Sequence, residues 1–533
     1  MTNSTDDDGT AGPGKSTGLN PVEQATASAP ADELVPANEI PTPPQVTTDR
    51  NGTQHICCRN GATHSWQQVK MLIMTLMFTA AANGFASVQM SVALPRISDT
   101  YHITVADANW VNIAYAIVAA TAIMTSARIM QRIGLKRLYF WSCLLFVISS
   151  VVGLLAVNFP LMLAARIIQA MAAGVMFPTI NTVIVQVVPP AKSGSIMSIN
   201  SAVIGLGAAF SPLLCGLLIT YVNLTSMFAI PLVIGVVTLI LGHKYVFDVE
   251  PRMHKQINVV SIILAFVGLG CLMYGFNELT DKPKIAIPLL VVGIGVLVAF
   301  VIRQFRLATP LLNLRPLRHL SVSIGVLIYM TGAMGEQAML LLTPLYLERA
   351  CDKTAFVSGL CLLIVAICYS GFIVLTGRIV DRRGMWPEVS FGFLIMSAGL
   401  FALILMAQHK SVIPAVICGA VAVIGDAFIN VPTKDVVLES LPTRMVPHLN
   451  SVFSTSTQIA SSMASALFIG LLSATVTRET ASGVARSTAY VHGFSDAVWV
   501  ALAIEIVMLI VSIWYSRQMV KHGENRVGEK KIC

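Results

Sequence analysis

Ala127-Arg128-Ile129-Met130-Gln131-Arg132-Ile133-Gly134-Leu135-Lys136-Arg137 forms a short basic turn between two apolar runs. Its pattern, small-Arg-Ile-x-polar-Arg-x-Gly, returns about 250 residues later as Gly377-Arg378-Ile379-Val380-Asp381-Arg382-Arg383-Gly384, again between apolar runs. Gly134 and Gly384 supply the backbone freedom for a tight reversal, and the guanidiniums hold such a turn on the cytoplasmic side of a bilayer. Two unrelated basic loops would share the composition. The matched placement in two hydrophobic stretches instead implies two related half-molecules.

Composition supports a membrane setting. Of 533 residues, 55% are hydrophobic and 12% charged, where a soluble chain carries about 25% charged residues. Too few charges are present to cover the surfaces of several soluble domains. The net charge of +8 is spread over short loops between apolar runs rather than gathered on one face, which argues against a nucleic-acid partner. Cys143, Cys215, Cys271, Cys361, Cys368 and Cys418 lie inside apolar runs and read as unpaired small hydrophobes. No metal cluster or nucleophile constellation outside the membrane suggests an enzyme, and no cofactor is implied.

Residues 1–65 are rich in Thr, Ala, Pro, Gly and Asp and are expected to form a disordered cytoplasmic tail. No basic-then-apolar start is visible there, so insertion is expected to rely on the first helix. Gly9-Thr10-Ala11-Gly12-Pro13-Gly14-Lys15-Ser16 fits the phosphate-loop pattern letter for letter. Such a loop works only between a buried strand and a helix, and Pro- and Ala-rich coil follows it here. His55, Cys57, Cys58 and His64 invite a metal or lipidation reading, but their spacing is not specific and a polar linker explains them.

Fourteen apolar segments follow, near 70–94, 107–127, 138–157, 161–182, 197–220, 226–246, 257–277, 285–303, 321–346, 355–376, 388–407, 412–432, 449–474 and 494–515. Each is about the 20 residues that cross a bilayer core. With both termini cytoplasmic, about 24 Lys and Arg fall on the inner side and about 8 outside, which fixes the expected orientation. The distance between the two basic turns exceeds one six-helix half, and two extra helices between the halves account for the difference. The expected domains are a tail (1–65), an N-terminal six-helix bundle (66–250), two accessory helices (251–306), a C-terminal six-helix bundle (307–516) and a C-terminal tail (517–533).

This layout and its motifs resemble the fourteen-helix drug:proton antiporter branch of the major facilitator superfamily. The basic turns resemble the loop between the second and third helices and its repeat in the second half. Ser91-Val92-Ala93-Leu94-Pro95 resembles the end of that branch's first helix, and Trp110-Val111 with Ala114-Tyr115 the start of its second. Ala165-Arg166-Ile167-Ile168-Gln169 resembles the Arg-x-x-Gln motif of the fourth helix. Gly205-Leu206-Gly207 with Pro212 and Gly216 resembles the exporter motif of the fifth, with Ser211 and Cys215 where glycines are usual. Pro310-Leu311-Leu312-Asn313-Leu314-Arg315 resembles a segment that follows the eighth.

Acids are missing from this pattern four times. Ala86 replaces a first-helix Asp, Gln131 an Asp of the first turn, Gln304 a Glu and Asn313 an Asp. Coupling through a first-helix carboxylate, and the cation preference that goes with it, are thereby put in question. The acids left within apolar segments are Glu336, Asp426 and Glu505; by resemblance the first two line the cavity and the third is peripheral. A carboxylate at such depth can exchange a proton, because desolvation favours its neutral form and a nearby cation its charged form. Glu336 and Asp426 are therefore candidates for coupling or substrate contact, a structural hydrogen-bonding role being the alternative.

Arg166 is expected to face a hydrated cavity or a partner, or else to snorkel to an interface. Asn83, Gln89 and Gln458 are candidates for substrate contact or interhelical hydrogen bonds. Gly205, Gly207, Pro212 and Gly216 would let a helix bend and approach a neighbour. Arg128, Arg132 and Gly134, with Arg378, Asp381, Arg382 and Gly384, would form cytoplasmic latches.

The resemblance implies a monomeric plasma-membrane carrier that expels lipophilic small molecules or drugs in exchange for protons. An uncoupled exporter of one metabolite, and a transporter-like sensor that moves nothing, are the alternatives.

Overall fold

The computed structural model describes residues 45–48, 54–57, 63–188, 190–249, 258–279, 282–307, 310–312, 314–383, 385–439 and 446–521. Where the sequence predicts coil before residue 65, three short strands pair antiparallel: β1 (Gln45–Thr48), β2 (Gln54–Cys57) and β3 (Thr63–Ser65). Val46, Thr47, Thr48 and Ile56 favour extended backbone, and the pairing satisfies their peptide groups. The His64 ring stacks on Phe247 at 3.8 Å. The phosphate-loop-like stretch 9–16, Cys58 and the side chains of His55 and Cys57 lie outside the described residues.

The rest is helical. In chain order the α-helices are α1 (Trp66–Val88), α2 (Leu94–Tyr101), α3 (Val105–Ala108), α4 (Trp110–Ile133), α5 (Leu135–Leu154), α6 (Phe159–Val187), α7 (Pro190–Tyr221), α8 (Ala229–Tyr245), α9 (Val259–Asn277), α10 (Pro283–Arg306), α11 (Leu320–Arg349), α12 (Ala355–Arg383), α13 (Met385–Ala407), α14 (Val412–Glu439), α15 (Val446–Ala481) and α16 (Arg486–Lys521). Fourteen spans among the described residues are long and apolar enough to cross a bilayer, with α3 and α4 forming one and α2 none.

Helix ends depart from the apolar runs for local reasons. α1 begins at Trp66 because Ser65 and Gln68 form a reciprocal capping box. It stops at Val88, and Pro95 sits in the first turn of α2. The Ser91–Pro95 motif is therefore a break between helices. The basic turn is likewise mostly helix: α4 runs through Arg128 and Arg132 to Ile133, and Gly134 alone breaks it, at φ 86°. Ile, Met, Gln and Arg are good helix formers, and a terminal Arg complements the helix dipole. Asp248, beyond α8, caps the new start by accepting from the Lys136 N–H at 2.8 Å.

Six helices, α1 and α4–α8, pack mainly with one another, as do α11–α16. The two groups meet along α4 against α15 and along α7 against α12, while the paired α9 and α10 lie against both α4 and α15 through α9. Glycines set the tightest crossings. A methyl group at Gly84 would overlap the Ile204 carbonyl, and one at Gly207 the Ala81 carbonyl, so α1 and α7 touch backbone to backbone. At the other seam, Gly216 abuts Ala355 and Gly359 abuts Pro212. Gly205 meets nothing, so of the expected packing set only part makes contact.

Polar ties close the same end of the two seams. Asn109 Nδ2 donates to the Ser465 carbonyl at 2.8 Å, and Ser465 Oγ returns a bond to Asn109 Oδ1 at 2.7 Å. The Phe356 N–H donates to Thr220 Oγ1 at 3.1 Å. Arg349, at the end of α11, pairs with Asp99 of α2 at 2.7 Å and donates to the Pro95 carbonyl. Asp99 is 41% exposed, and such a pair contributes about 1 kcal/mol or less. Arg349→Gln is accordingly expected to speed labelling of neighbouring Cys351 by an impermeant maleimide, by no more than about fivefold. Unchanged labelling would show that this ion pair does not hold the end shut.

Candidate functional site

Asp426 is the centre of the second half. It lies on α14 with no solvent exposure. Asn430, one helical turn on, donates from Nδ2 to Asp426 Oδ1 at 2.7 Å. Tyr369 of α12 donates its hydroxyl to Oδ2 at 3.0 Å. Gly332 of α11 makes room: a methyl there would stand 2.7 Å from Asp426 Oδ1. Glu336 is one turn further along α11, within electrostatic reach of Asp426. Two turns of one helix thus present a gap for one carboxyl and carry another.

Glu336 and Tyr369 line a cavity of about 80 Å³ between α11, α12 and α14, otherwise walled by Met339, Thr343, Leu362 and Val423. It has room for a few water molecules or one small group. Tyr329 of α11 accepts from the Thr457 hydroxyl at 3.2 Å. Gln458 is half-buried on α15 beside Thr457. Among the described residues, no Lys, Arg or His pairs with or donates to Asp426 or Glu336.

Glu505 is not peripheral. It is 1% exposed, and its Oε1 would stand 2.7 Å from a methyl at Gly335. α16 packs along α11, and a glycine on α11 lets the carboxyl in. Asp426 and Glu505 therefore both approach the helix that carries Glu336.

Arg166 meets partners inside the bundle rather than snorkelling to an interface. It is fully buried on α6, donating from Nη1 to the Ala86 carbonyl at 3.0 Å and to Gln169 Oε1 at 2.6 Å. The Tyr115 ring lies 4.2 Å from the guanidinium carbon. Gln89 donates to the same Gln169 oxygen at 2.9 Å, so it serves as an interhelical link between α1 and α6. Asn83 instead lines a small recess with Thr79, Ser142 and Cys143, its Nδ2 without a partner.

Of the first basic turn, Arg128 reaches the segment that follows α10. Arg128 donates to the Pro310 carbonyl at 3.3 Å, pinning the segment after α10, which Gln304 also holds by accepting from the Leu311 and Leu312 N–H groups. Arg132 is exposed. Arg378, Asp381 and Arg382 fall in the last turns of α12, their side chains outside the described residues, as are Gly384 and Asn313. Tyr369, Asn430, Tyr329 and Thr457 flank the acids; none of them stands out in the sequence, where the i,i+4 spacing of Asn430 from Asp426 is the one signal on offer.

Two six-helix groups meeting at two seams, with ionisable groups sealed between apolar helices, define a multi-pass membrane transporter. The description "Major Facilitator Superfamily" matches residues 75–465, and the chain belongs to that family. It is 27% identical over 470 residues to the lincomycin resistance protein LmrB of Bacillus subtilis, covering 86% of this chain and 98% of that one. It is 20% identical over 433 residues to the riboflavin transporter RibZ of Clostridioides difficile, covering 80% and 93%. Among solved structures, a bacterial homolog to the human lysosomal transporter Spinster, inward-facing and unoccupied, superposes with TM-score 0.62 at 13% identity, covering 87% of this chain and all of that one.

Proposed function

We propose that this transporter expels lipophilic small molecules across the plasma membrane by alternating access, as a monomer with both termini cytoplasmic, using protons that enter through the carboxyls of α11 and α14. The observation that carries the reading is Asp426: a buried carboxyl held by Tyr369 and Asn430, beside Glu336 and a largely apolar cavity, with no paired cation among the described residues. Such a group can take up and release a proton as its surroundings change between inward and outward states. The likeness to a lincomycin resistance protein supports drugs as cargo.

The basic helix ends flanking Gly134 support the cytoplasmic placement. The halves rocking about the α4/α15 and α7/α12 seams would provide access from each side in turn.

The test is export from proteoliposomes of cationic, neutral and anionic lipophilic dyes, with and without an imposed proton gradient. Gradient-driven export that Glu336→Gln slows by about tenfold or more is expected for a group that carries or relays the coupling proton. A specific observation favours a second reading: α1 offers Arg166 the Ala86 carbonyl, and among the described residues of the first half no carboxylate pairs with it. Export indifferent to the gradient would select the uncoupled carrier of one metabolite, in keeping with the likeness to a riboflavin transporter.

A further inference from the structure

The two halves bury opposite charges. α11, α14 and α16 hold Glu336, Asp426 and Glu505, whereas α6 holds Arg166, with which no carboxylate among the described residues pairs. One edge of its guanidinium is committed, since Nη1 serves both the Ala86 carbonyl and Gln169. Nε and Nη2 are buried with no hydrogen-bond partner. These two atoms form the other edge, whose N–H bonds run parallel and grip both oxygens of a carboxylate at once.

The surroundings match that edge. Gln169 Nε2 is also buried without an acceptor, its own oxygen being occupied by Arg166 and Gln89. The Tyr115 ring fixes the guanidinium plane from one face. An unpaired charge with three unmet donors is costly in apolar surroundings, and an incoming oxyanion answers the charge and the donors together. Acceptors alone would satisfy the donors; only an anion also satisfies the charge.

We infer that the free Nε/Nη2 edge of Arg166 docks a carboxylate or similar planar oxyanion carried by the transported molecule. Access follows from the fold. α6 touches α15 of the opposite half, and α4, which carries Tyr115, is tied to α15 through Asn109 and Ser465. Parting the halves breaks these contacts. The favoured cargo is therefore amphiphilic, with an apolar body and an anionic end. That this ligand is cargo rests on the transport reading above, while its binding does not.

Binding decides the matter without turnover. The full chain in lipid nanodiscs, in low-ionic-strength HEPES–Tris buffer free of chloride and of carboxylates, is titrated with pyrenebutyrate and with its uncharged methyl ester. Wild type is expected to bind the acid about tenfold or more tighter than the ester, beyond the difference seen with empty nanodiscs. Arg166→Gln is expected to bind both alike. Arg166→Lys, which keeps the charge but not the fork, is expected to recover part of the preference.

Equal affinities in wild type overturn the inference, and that comparison needs no variant to fold. Restoring chloride is the third arm: if it erases the acid's advantage, the edge belongs to an inorganic anion and the cargo assignment fails. A retained acid preference without gradient-driven export would leave this site standing and remove proton coupling. Gradient-driven export with no acid preference would do the reverse.

Discussion

Asp426→Asn is expected to abolish gradient-driven export while leaving the helices packed. The amide nearly matches the carboxyl in size, so Gly332 still accommodates it, and its oxygen can still accept from Tyr369 or Asn430. It cannot gain or lose a proton in the transport cycle. The expected result is a loss of about a hundredfold or more in proton-driven export, with substrate exchange down its own gradient retained. Tyr369→Phe, which removes one donor to Asp426, should cost less, about tenfold. Both are read in proteoliposomes, comparing an imposed proton gradient with simple counterflow. If Asp426→Asn still exports against a substrate gradient, coupling does not run through this carboxyl.

Gly359→Val should have the second large effect, through packing rather than charge. Gly359 lies against the Pro212 backbone, and Gly216 against Ala355, where α7 and α12 meet. Neither backbone can yield as a flexible side chain would. A valine therefore opposes the closed seam itself, with a strain of about 1–3 kcal/mol or more. Export should fall by about tenfold or more, because the cycle needs both the closed and the parted seam. A cross-link between cysteines placed at 220 and 356, where α7 and α12 also meet, in a background lacking the native thiols, should form readily in the parent and slowly in Gly359→Val. Normal export by Gly359→Val would mean that α7 and α12 need not come this close.

The number and order of the spans were legible because an apolar run long enough to cross a bilayer is a one-dimensional signal. Helix ends were less so. Ser65 looks like the end of the tail until it caps α1 with Gln68, and Arg128 and Arg132 look like a loop until Gly134 is seen to be the break. The carboxyls of the second half were visible as charges at depth. Tyr369 was not, since a tyrosine in an apolar run gives no sign of its partner on another helix. Glu505 shows the same limit: its burial depends on Gly335, which is remote in sequence. Arg166 was found by type, but its half-committed guanidinium could only come from coordinates.

The hairpin of α9 and α10 makes the molecule lopsided toward its lipid. One boundary between the halves, α4 against α15, has α9 laid along both partners, with Asn277 against Gly470; the other, α7 against α12, is made by those two helices directly. A molecule dissolved in the bilayer and approaching sideways therefore meets a wall on one flank and a bare seam on the other. Entry from the membrane rather than from water is therefore expected on the flank of α7 and α12, which neither α9 nor α10 covers among the described residues.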